Sequence, residues 1–503
     1  MRLDQQMLGS PSLREKGYVL PDYDVAALRA RTLESPRWLH FGAGNLFRAM
    51  IAAGADTAIA GGALDTGLIA CAGSQTVADV YAPYDNLCVS VVLGADGSVK
   101  KQVVGCIAAA IGTDDRQRLR ALFRQPCLQL CSFTITEKGY HPAGEMMALL
   151  ADLMRTRHES GGAPIALVSM DNCARNGDVL KRSLIEAAQN ASDADFIAYL
   201  NDGAKVSFPW TMIDKITPRP DPAVAKMLAD DGLSGMDIQI TPRGAHIAPF
   251  VNAERVGYLV IEDDFPNGKP DLAACGFLLS SRETVAKSER MKVCTCLNPL
   301  HTALAIFGCL LGYTRIHEEM NDADLVALLN RLGYGESMPY VTNPGIIDPE
   351  AFLRTVIEER FPNPFMPDAP QRIAADTSQK LSIRFGETVK AHVSGGGASD
   401  LCAIPLVFAA WIRYLTGIDD GGNLFERSPD PMLQSLQPIA DHLRHVGADF
   451  DESTVAPLLR NADIFGVDLY ESGLAPRVIA DLRAMLGGNG AVRSLLHQTI
   501  SQQ

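Results

Sequence analysis

Lys292, Cys294, Cys296, Asn298 and His301 lie within one short segment and are the residues best suited to chemistry. A lysine beside apolar neighbours loses hydration, which draws its pKa toward neutrality and fits it for general acid–base work. Asn298 and His301, three residues apart, share a helix face. Asn298-Pro299 reads as an N-cap followed by proline at the first helical position, so the helix carrying His301 starts or kinks there. The two cysteines with His301 also invite a zinc site. Structural zinc draws on paired Cys-x2-4-Cys units, however, and the chain has no second pair. Buried thiols explain these cysteines better, and no metal is expected. For Lys292, Asn298 and His301 the plain alternative is a solvated lysine, a capping asparagine and a core histidine. Spacing alone prefers it.

A second candidate is Gly42-Ala43-Gly44. A dinucleotide pyrophosphate needs backbone amides at a helix N-terminus with no side chain in the way. Gly42 would make the turn and Gly44 would allow close approach. The third fingerprint position is Phe47 rather than glycine, so the match is partial. Arg48 could reach a phosphate or simply be a solvated helix residue. The carboxylate expected about 20 residues on, to hold a ribose, is missing. The second strand ends instead in Cys71-Ala72-Gly73-Ser74, with no arginine for a 2′-phosphate either. NAD and NADP are therefore not distinguished. Thr136-Glu137-Lys138-Gly139-Tyr140 and Ser169-Met170-Asp171-Asn172 end strands, at the edge where open α/β sheets bind ligands. Read singly they are charged turns, and Asp178 reads as a helix cap. Arg372 and Lys380 suit an anionic or polyhydroxylated group, although two such cations are commonplace.

The elements that must position these residues follow from apolar periodicity. Residues 38–41 form a strand, followed by the glycine turn and by a helix with Leu46, Met50, Ile51 and Ala53 on one face. Further strands are expected at 67–71, 128–136 and 165–170, a hairpin at 87–104 turning at Ala95-Asp96-Gly97, and helices at 114–124, 145–155 and 178–188. Strands alternating with helices indicate a parallel sheet covered on both faces. Short strands resume near 237–240 and 256–261, and a turn-rich stretch begins at Asp263. Beyond it the pattern is helical: 285–313, 323–332, 350–360, 401–416, 432–446, 453–460 and 475–485. Two domains are expected, an α/β domain over 1–280 and a mostly α-helical one over 281–503. Residues 1–37 carry little signal.

With 47% hydrophobic and 21% charged residues, the chain is too apolar to be disordered. A formal charge of −14 argues against non-specific nucleic-acid binding but leaves room for a small anion in a local basic pocket. No run approaches the roughly 18 uninterrupted apolar residues of a membrane helix. The 11 cysteines, many in apolar runs, suit a reducing compartment, and the N-terminus lacks the pattern of a secretory signal. A cytoplasmic enzyme is the expectation.

Taken in order, several segments resemble the polyol-specific long-chain dehydrogenase/reductase family, whose members include mannitol 2-dehydrogenases and hexuronate reductases. They are the run from His40 to Ala49, that from Thr136 to Tyr140, Asp171-Asn172 with Asn176-Gly177-Asp178, and the run from Phe208 to Pro218. Lys292…Asn298…His301 and Arg372…Lys380 complete the set. The resemblance covers residues 38–380, with a compatible helical tail. It implies a Rossmann-type N-terminal domain, a helical C-terminal domain, and metal-independent hydride transfer with NAD, NADP not being excluded. Carried over by position, Lys292 is the general base, and Asn298 and His301 hold the reacting oxygen. Asn172 joins them at the catalytic centre and, with Asp214, Arg372 and Lys380, lines the substrate site. Gly42, Gly44, Asn45, Leu46, Arg48, Glu137 and Lys138 bind the cofactor. Family members have four residues between the lysine and the asparagine. Here five intervene, Val293 to Leu297, so the chain bulges before Asn298 or places Lys292 differently. The expected reaction interconverts a keto-hexuronate and a hexonate, fructuronate and mannonate in particular. The alternatives are mannitol/fructose interconversion and a catalytically silent NAD-binding protein. The expected partner is a small sugar acid or polyol, with no nucleic acid and no membrane, and the chain is expected to be a monomer or small homo-oligomer.

Overall fold

Six runs without a charged side chain form one sheet: β1 (Trp38–Phe41), β2 (Leu68–Ala72), β3 (Ile107–Gly112), β4 (Leu130–Phe133), β5 (Ile165–Ser169) and β6 (Val206–Ser207). In the computed structural model, which describes residues 1–189, 193–241 and 244–501, their order is β3-β2-β1-β4-β5-β6. Every pairing is parallel. Most of their residues are buried, as strands covered on both faces must be. One face carries Phe47, Ile51, Ala55 and Ile59 of the helical stretch after β1. The other is covered by Met147, Leu150, Leu153, Leu180 and Leu184 from helices Glu145–Glu159 and Asn176–Gln189. The chain runs outward from β1 to β3 and then returns to lay β4 on the other side of β1. The carboxyl ends of β1 and β4 therefore flank the switch point, where such sheets bind ligands.

The expected hairpin is present, with Cys88–Leu93 antiparallel to Val99–Val104 and Gly97 at φ +79° in the turn. It belongs to a second sheet with Tyr18–Val19 and Phe250–Glu254. The little-patterned N-terminal stretch thus supplies an edge strand and the helix Val25–Glu34. A third sheet joins Thr211–Asp214, Tyr258–Glu262 and Leu278–Ser280.

The chain divides into two compact units, Met1–Ala286 and Lys287–Gln503. The apolar stretch expected as one helix over 285–313 is interrupted. It consists of α1 (Arg282–Met291), a π-helical turn over Lys292–Cys296, and α2 (Asn298–Leu311). By length and composition this is the one helical stretch among the described residues that passes as a membrane span, and most of its apolar window is buried. Three further helices matter for the site: α3 (Pro370–Ile373), α4 (Leu381–Ser394) and α5 (Ala403–Leu415). Every residue of α5 is buried, and it packs on α2 and on Ala475–Met485. Burying each of its large apolar side chains contributes about 1.5–3 kcal/mol.

The N-terminus of α5 lies in that core, so its amides need a partner inside the protein. Glu336, fully buried, provides it: one carboxylate oxygen accepts from Cys402 and Ala403 at 2.7 Å each, the other from Ile404 at 2.9 Å. Glu336→Ala strands three buried donors and is expected to cost about 3 kcal/mol. Thermal or urea unfolding reads this directly, and an unchanged midpoint would contradict the role.

Candidate active site

In the N-terminal unit the site begins at the glycine turn after β1. Gly42 has φ +89°, and a Cβ there would sit 2.0 Å from the Thr134 carbonyl oxygen at the end of β4. Only glycine lets the two strand ends approach. At Gly44 the nearest atom to a Cβ is 3.9 Å away, and the residue is exposed. Packing within the protein therefore does not require glycine at 44. The Gly44 carbonyl accepts the Arg48 amide at 3.2 Å, so the Asn45, Leu46 and Phe47 amides precede the first helical hydrogen bond. Phe47, in the place of the third glycine, opens a π-helical segment and stacks on His40 with centroids 4.3 Å apart. Leu46 packs against the sheet core.

Arg48 is neither solvated nor open to a phosphate. It is 2% exposed and donates to the Ala248 carbonyl at 2.6 Å and to the Asn45 side chain at 3.1 Å. Asn45 in turn donates to the Pro218 carbonyl at 3.0 Å. Burial leaves the arginine to tie the loop down rather than to reach out of it. The Ala43 carbonyl is held from the other side by the buried Tyr81 hydroxyl at 2.6 Å.

Glu137 and Lys138 are exposed on a short helix after β4, where Thr136 has φ +62°. Asp171, beyond β5, secures that segment by accepting the Ile135 amide at 2.8 Å, the Thr136 amide at 3.1 Å and the Tyr140 hydroxyl at 2.6 Å. Asn172 follows it and is exposed. Asn176 is fully buried and pins β5 to Thr211 through both ends of its amide. Asp178 is not the expected cap. The helix already starts at Asn176, and the Asp178 carboxylate accepts from Trp210 Nε1 at 2.9 Å with Arg282 beside it. Asp214 ends its strand, 8% exposed.

In the C-terminal unit Lys292 is 3% exposed and opens the π-helical turn. The Leu297 amide reaches back five residues to the Lys292 carbonyl at 3.1 Å, and the His301 amide bonds the Leu297 carbonyl at 3.0 Å. A π-bulge takes up one extra residue and lets the helix beyond it continue. The turn thus carries the five residues between Lys292 and Asn298 without ending the helical stretch. It also shifts the cap by one position. Leu297 is the N-cap, Asn298 is the first helical residue, and the Asn298 side chain does not cap the helix. Cys294 and Cys296 are free thiols pushed up by burial to about 11 and about 12. Among the described residues no group of three His, Cys, Asp or Glu is placed to hold a metal.

His301 is surrounded by residues that motif spacing did not reveal. Its Nε2 lies 3.6 Å from an Asp368 oxygen, and its ring packs at 5.3 Å from Phe361. Burial holds it below the ordinary histidine pKa. Asp368 opposes the shift, while Arg384, Arg372 and Arg360 reinforce it. His301 is thus a neutral imidazole near pH 7. Arg372 is largely exposed and pairs with Asp368. Arg384 donates to the Thr302 hydroxyl and to the Asn298 carbonyl, linking α4 to the first turn of α2. Burial draws Arg384 down to about 10, which still leaves it cationic, and among the described residues no carboxylate lies within 4 Å of it. Lys380 is less available than expected. Its ammonium donates to the Ile373 carbonyl at 3.3 Å and to that of Ala375, closing the turn after α3.

A parallel six-stranded sheet with a glycine turn at its switch point, followed by a helical unit carrying a buried lysine, defines a dinucleotide-dependent oxidoreductase architecture. The family model for the mannitol dehydrogenase Rossmann domain matches residues 36–274, and that for the mannitol dehydrogenase C-terminal domain matches 284–486. The chain belongs to the mannitol dehydrogenase family and is an oxidoreductase of that family. It is 42% identical to a D-mannonate oxidoreductase of Thermotoga maritima, over 100% of both chains. A mannitol 2-dehydrogenase of Pyrenophora tritici-repentis is 28% identical, covering 90% of this chain and 79% of that one. Among solved structures, the ternary complex of Pseudomonas fluorescens mannitol 2-dehydrogenase with NAD and D-mannitol is 26% identical over the whole of both chains, with a TM-score of 0.70.

Proposed function

We propose that this protein reduces a keto-hexuronate to a hexonate, and reverses the reaction, with fructuronate and mannonate as the pair and NAD or NADP as the hydride carrier. The carrying observation is the cationic cluster around His301. Arg384 is partly buried, charged and, among the described residues, without a carboxylate within 4 Å, while Arg372 pairs with Asp368 and both, with Arg360, act on the same imidazole. A half-desolvated guanidinium is costly unless an anion meets it. The carboxylate that distinguishes a uronate from a neutral ketose is such an anion, and arginine binds it through two parallel hydrogen bonds. The 42% identity to the Thermotoga D-mannonate oxidoreductase supports the same choice over the more distant mannitol enzymes.

The exposed Gly44 and the first-turn amides of Asn45, Leu46 and Phe47 fit a pyrophosphate. A Cβ at position 44 would occupy space that no protein atom fills. Glu137 and Lys138 border the same sheet edge. When bound, the nicotinamide supplies or accepts the hydride. Lys292 delivers a proton to the forming alkoxide in reduction and removes the hydroxyl proton in oxidation. Asn298 and the neutral His301 donate hydrogen bonds to that oxygen, each worth roughly 3 kcal/mol in the transition state. Arg372 completes the substrate contacts, while Lys380 closes the turn after α3. The cytoplasm is the proposed location, supported by eleven cysteines that form no disulfide.

Arg384→Met tests the substrate assignment. It is expected to lower kcat/KM for D-fructuronate by about 10–100-fold, the loss of one charge-assisted contact, while any D-fructose turnover changes by less than threefold. Equal losses on both sugars would contradict recognition of the carboxylate by Arg384.

A further inference from the structure

His40 sits in the middle of β1, fully buried, and no catalytic step uses it. Its Nδ1 is 2.7 Å from the Ser132 hydroxyl and its Nε2 is 2.9 Å from the Thr134 hydroxyl, both on the neighbouring β4 side. The directions of these bonds follow from their outer partners. The Trp38 indole N–H can only donate, and it donates to Ser132 Oγ at 2.8 Å. The Gly42 carbonyl can only accept, and it accepts the Thr134 hydroxyl proton at 2.7 Å. Thr134 has then spent its single proton, so its oxygen must accept from His40 Nε2–H. A neutral imidazole with that proton leaves Nδ1 as acceptor for Ser132. Burial pushes the imidazole down to about 3, which keeps it neutral throughout the useful pH range.

The chain of donors ends on the carbonyl that also accepts the Gly44 amide at 2.6 Å. We infer that His40 is a positioning residue, locked in the Nε2–H tautomer, which acts through Thr134 to clamp the Gly42 carbonyl and so fixes the glycine turn in the form that receives the dinucleotide pyrophosphate. This rests on the dinucleotide reading above and adds to it the device that preorganises the turn. Without the clamp the turn must order itself on binding, and affinity for the dinucleotide falls while the chemistry of the sugar site does not.

Two measurements on the intact chain test it. In protein labelled with 15N-histidine, the His40 resonances, assigned by their loss in His40→Gln, are expected to show a protonated Nε2 and a bare Nδ1 near neutral pH. The opposite tautomer overturns the clamp. Separately, NADH binding is followed by fluorescence titration. Thr134→Val, which keeps the shape and removes the hydroxyl, is expected to weaken NADH binding about tenfold and leave the KM for the keto acid within twofold at saturating NADH. Thr134→Ser is expected to restore wild-type binding. Unchanged affinity in Thr134→Val, or equal weakening in Thr134→Ser, overturns the proposal. A wild-type protein that binds neither NADH nor NADPH overturns the dinucleotide reading as well, so the two failures are told apart.

Discussion

Lys292→Ala is expected to lower kcat for keto-acid reduction about 10³-fold near neutral pH, the size of effect typical of removing a positioned acid or base. NADH affinity should remain within about twofold of wild type. A lysine that is 3% exposed has given up most of its hydration, a state that a surface lysine has no reason to adopt. It begins the π-helical turn that delivers Asn298 and His301 one turn later. Single-turnover reduction at saturating NADH measures the chemical step without product release. Partial recovery of the rate by added small primary amines would mark the loss as that of a proton donor rather than of a fold element. Turnover within a few-fold of wild type would remove Lys292 from the chemistry.

The two glycines of the turn are expected to fail in different ways. Gly42→Ala forces a Cβ against the Thr134 carbonyl at a left-handed φ, and neither backbone can yield without separating β1 from β4. A loss of about 3 kcal/mol or more in unfolding free energy is expected, seen as a lower melting temperature and poor soluble yield. Gly44→Ala should melt like wild type, because a Cβ there meets no protein atom closer than 3.9 Å, yet bind NADH at least about 100-fold more weakly, since its side chain would occupy the space assigned to the pyrophosphate. Near-normal NADH binding by Gly44→Ala would show that this turn does not face the dinucleotide.

Much of this arrangement is legible in residue order. The charge-free runs of β1, β2, β4 and β5, the hairpin at Gly97 and the glycine turn carry their periodicity locally. The order of the sheet does not, because placing β4 beside β1 rather than β3 depends on crossovers between distant segments. Arg48 reads as a surface helix residue because its partner carbonyl, on Ala248, is 200 residues away. The extra residue after Lys292 shows in the count, but whether it bulges as a π-turn is decided by packing. The helix α4, which carries Arg384, is the clearest omission. Ile383, Thr388, Val389 and Val393 are β-branched and Gly386 interrupts them, all weak helix formers. The tertiary structure overrides that preference. A Cβ on Gly386 would lie 3.0 Å from the Gly466 Cα, so glycine is what lets the helix pack there. Arg384, Asp368 and Arg360 therefore meet His301 only through the fold.

The most direct test of keto-hexuronate chemistry is a comparison of kcat/KM for NADH-dependent reduction of D-fructuronate, D-tagaturonate and D-fructose by the purified wild-type chain. A cationic cluster built for a carboxylate predicts D-fructuronate as the best of the three, ahead of D-fructose by about 100-fold or more, the worth of about 3 kcal/mol in charge-assisted contacts. D-fructose reduced as well as or better than D-fructuronate would contradict it and make the protein a polyol dehydrogenase.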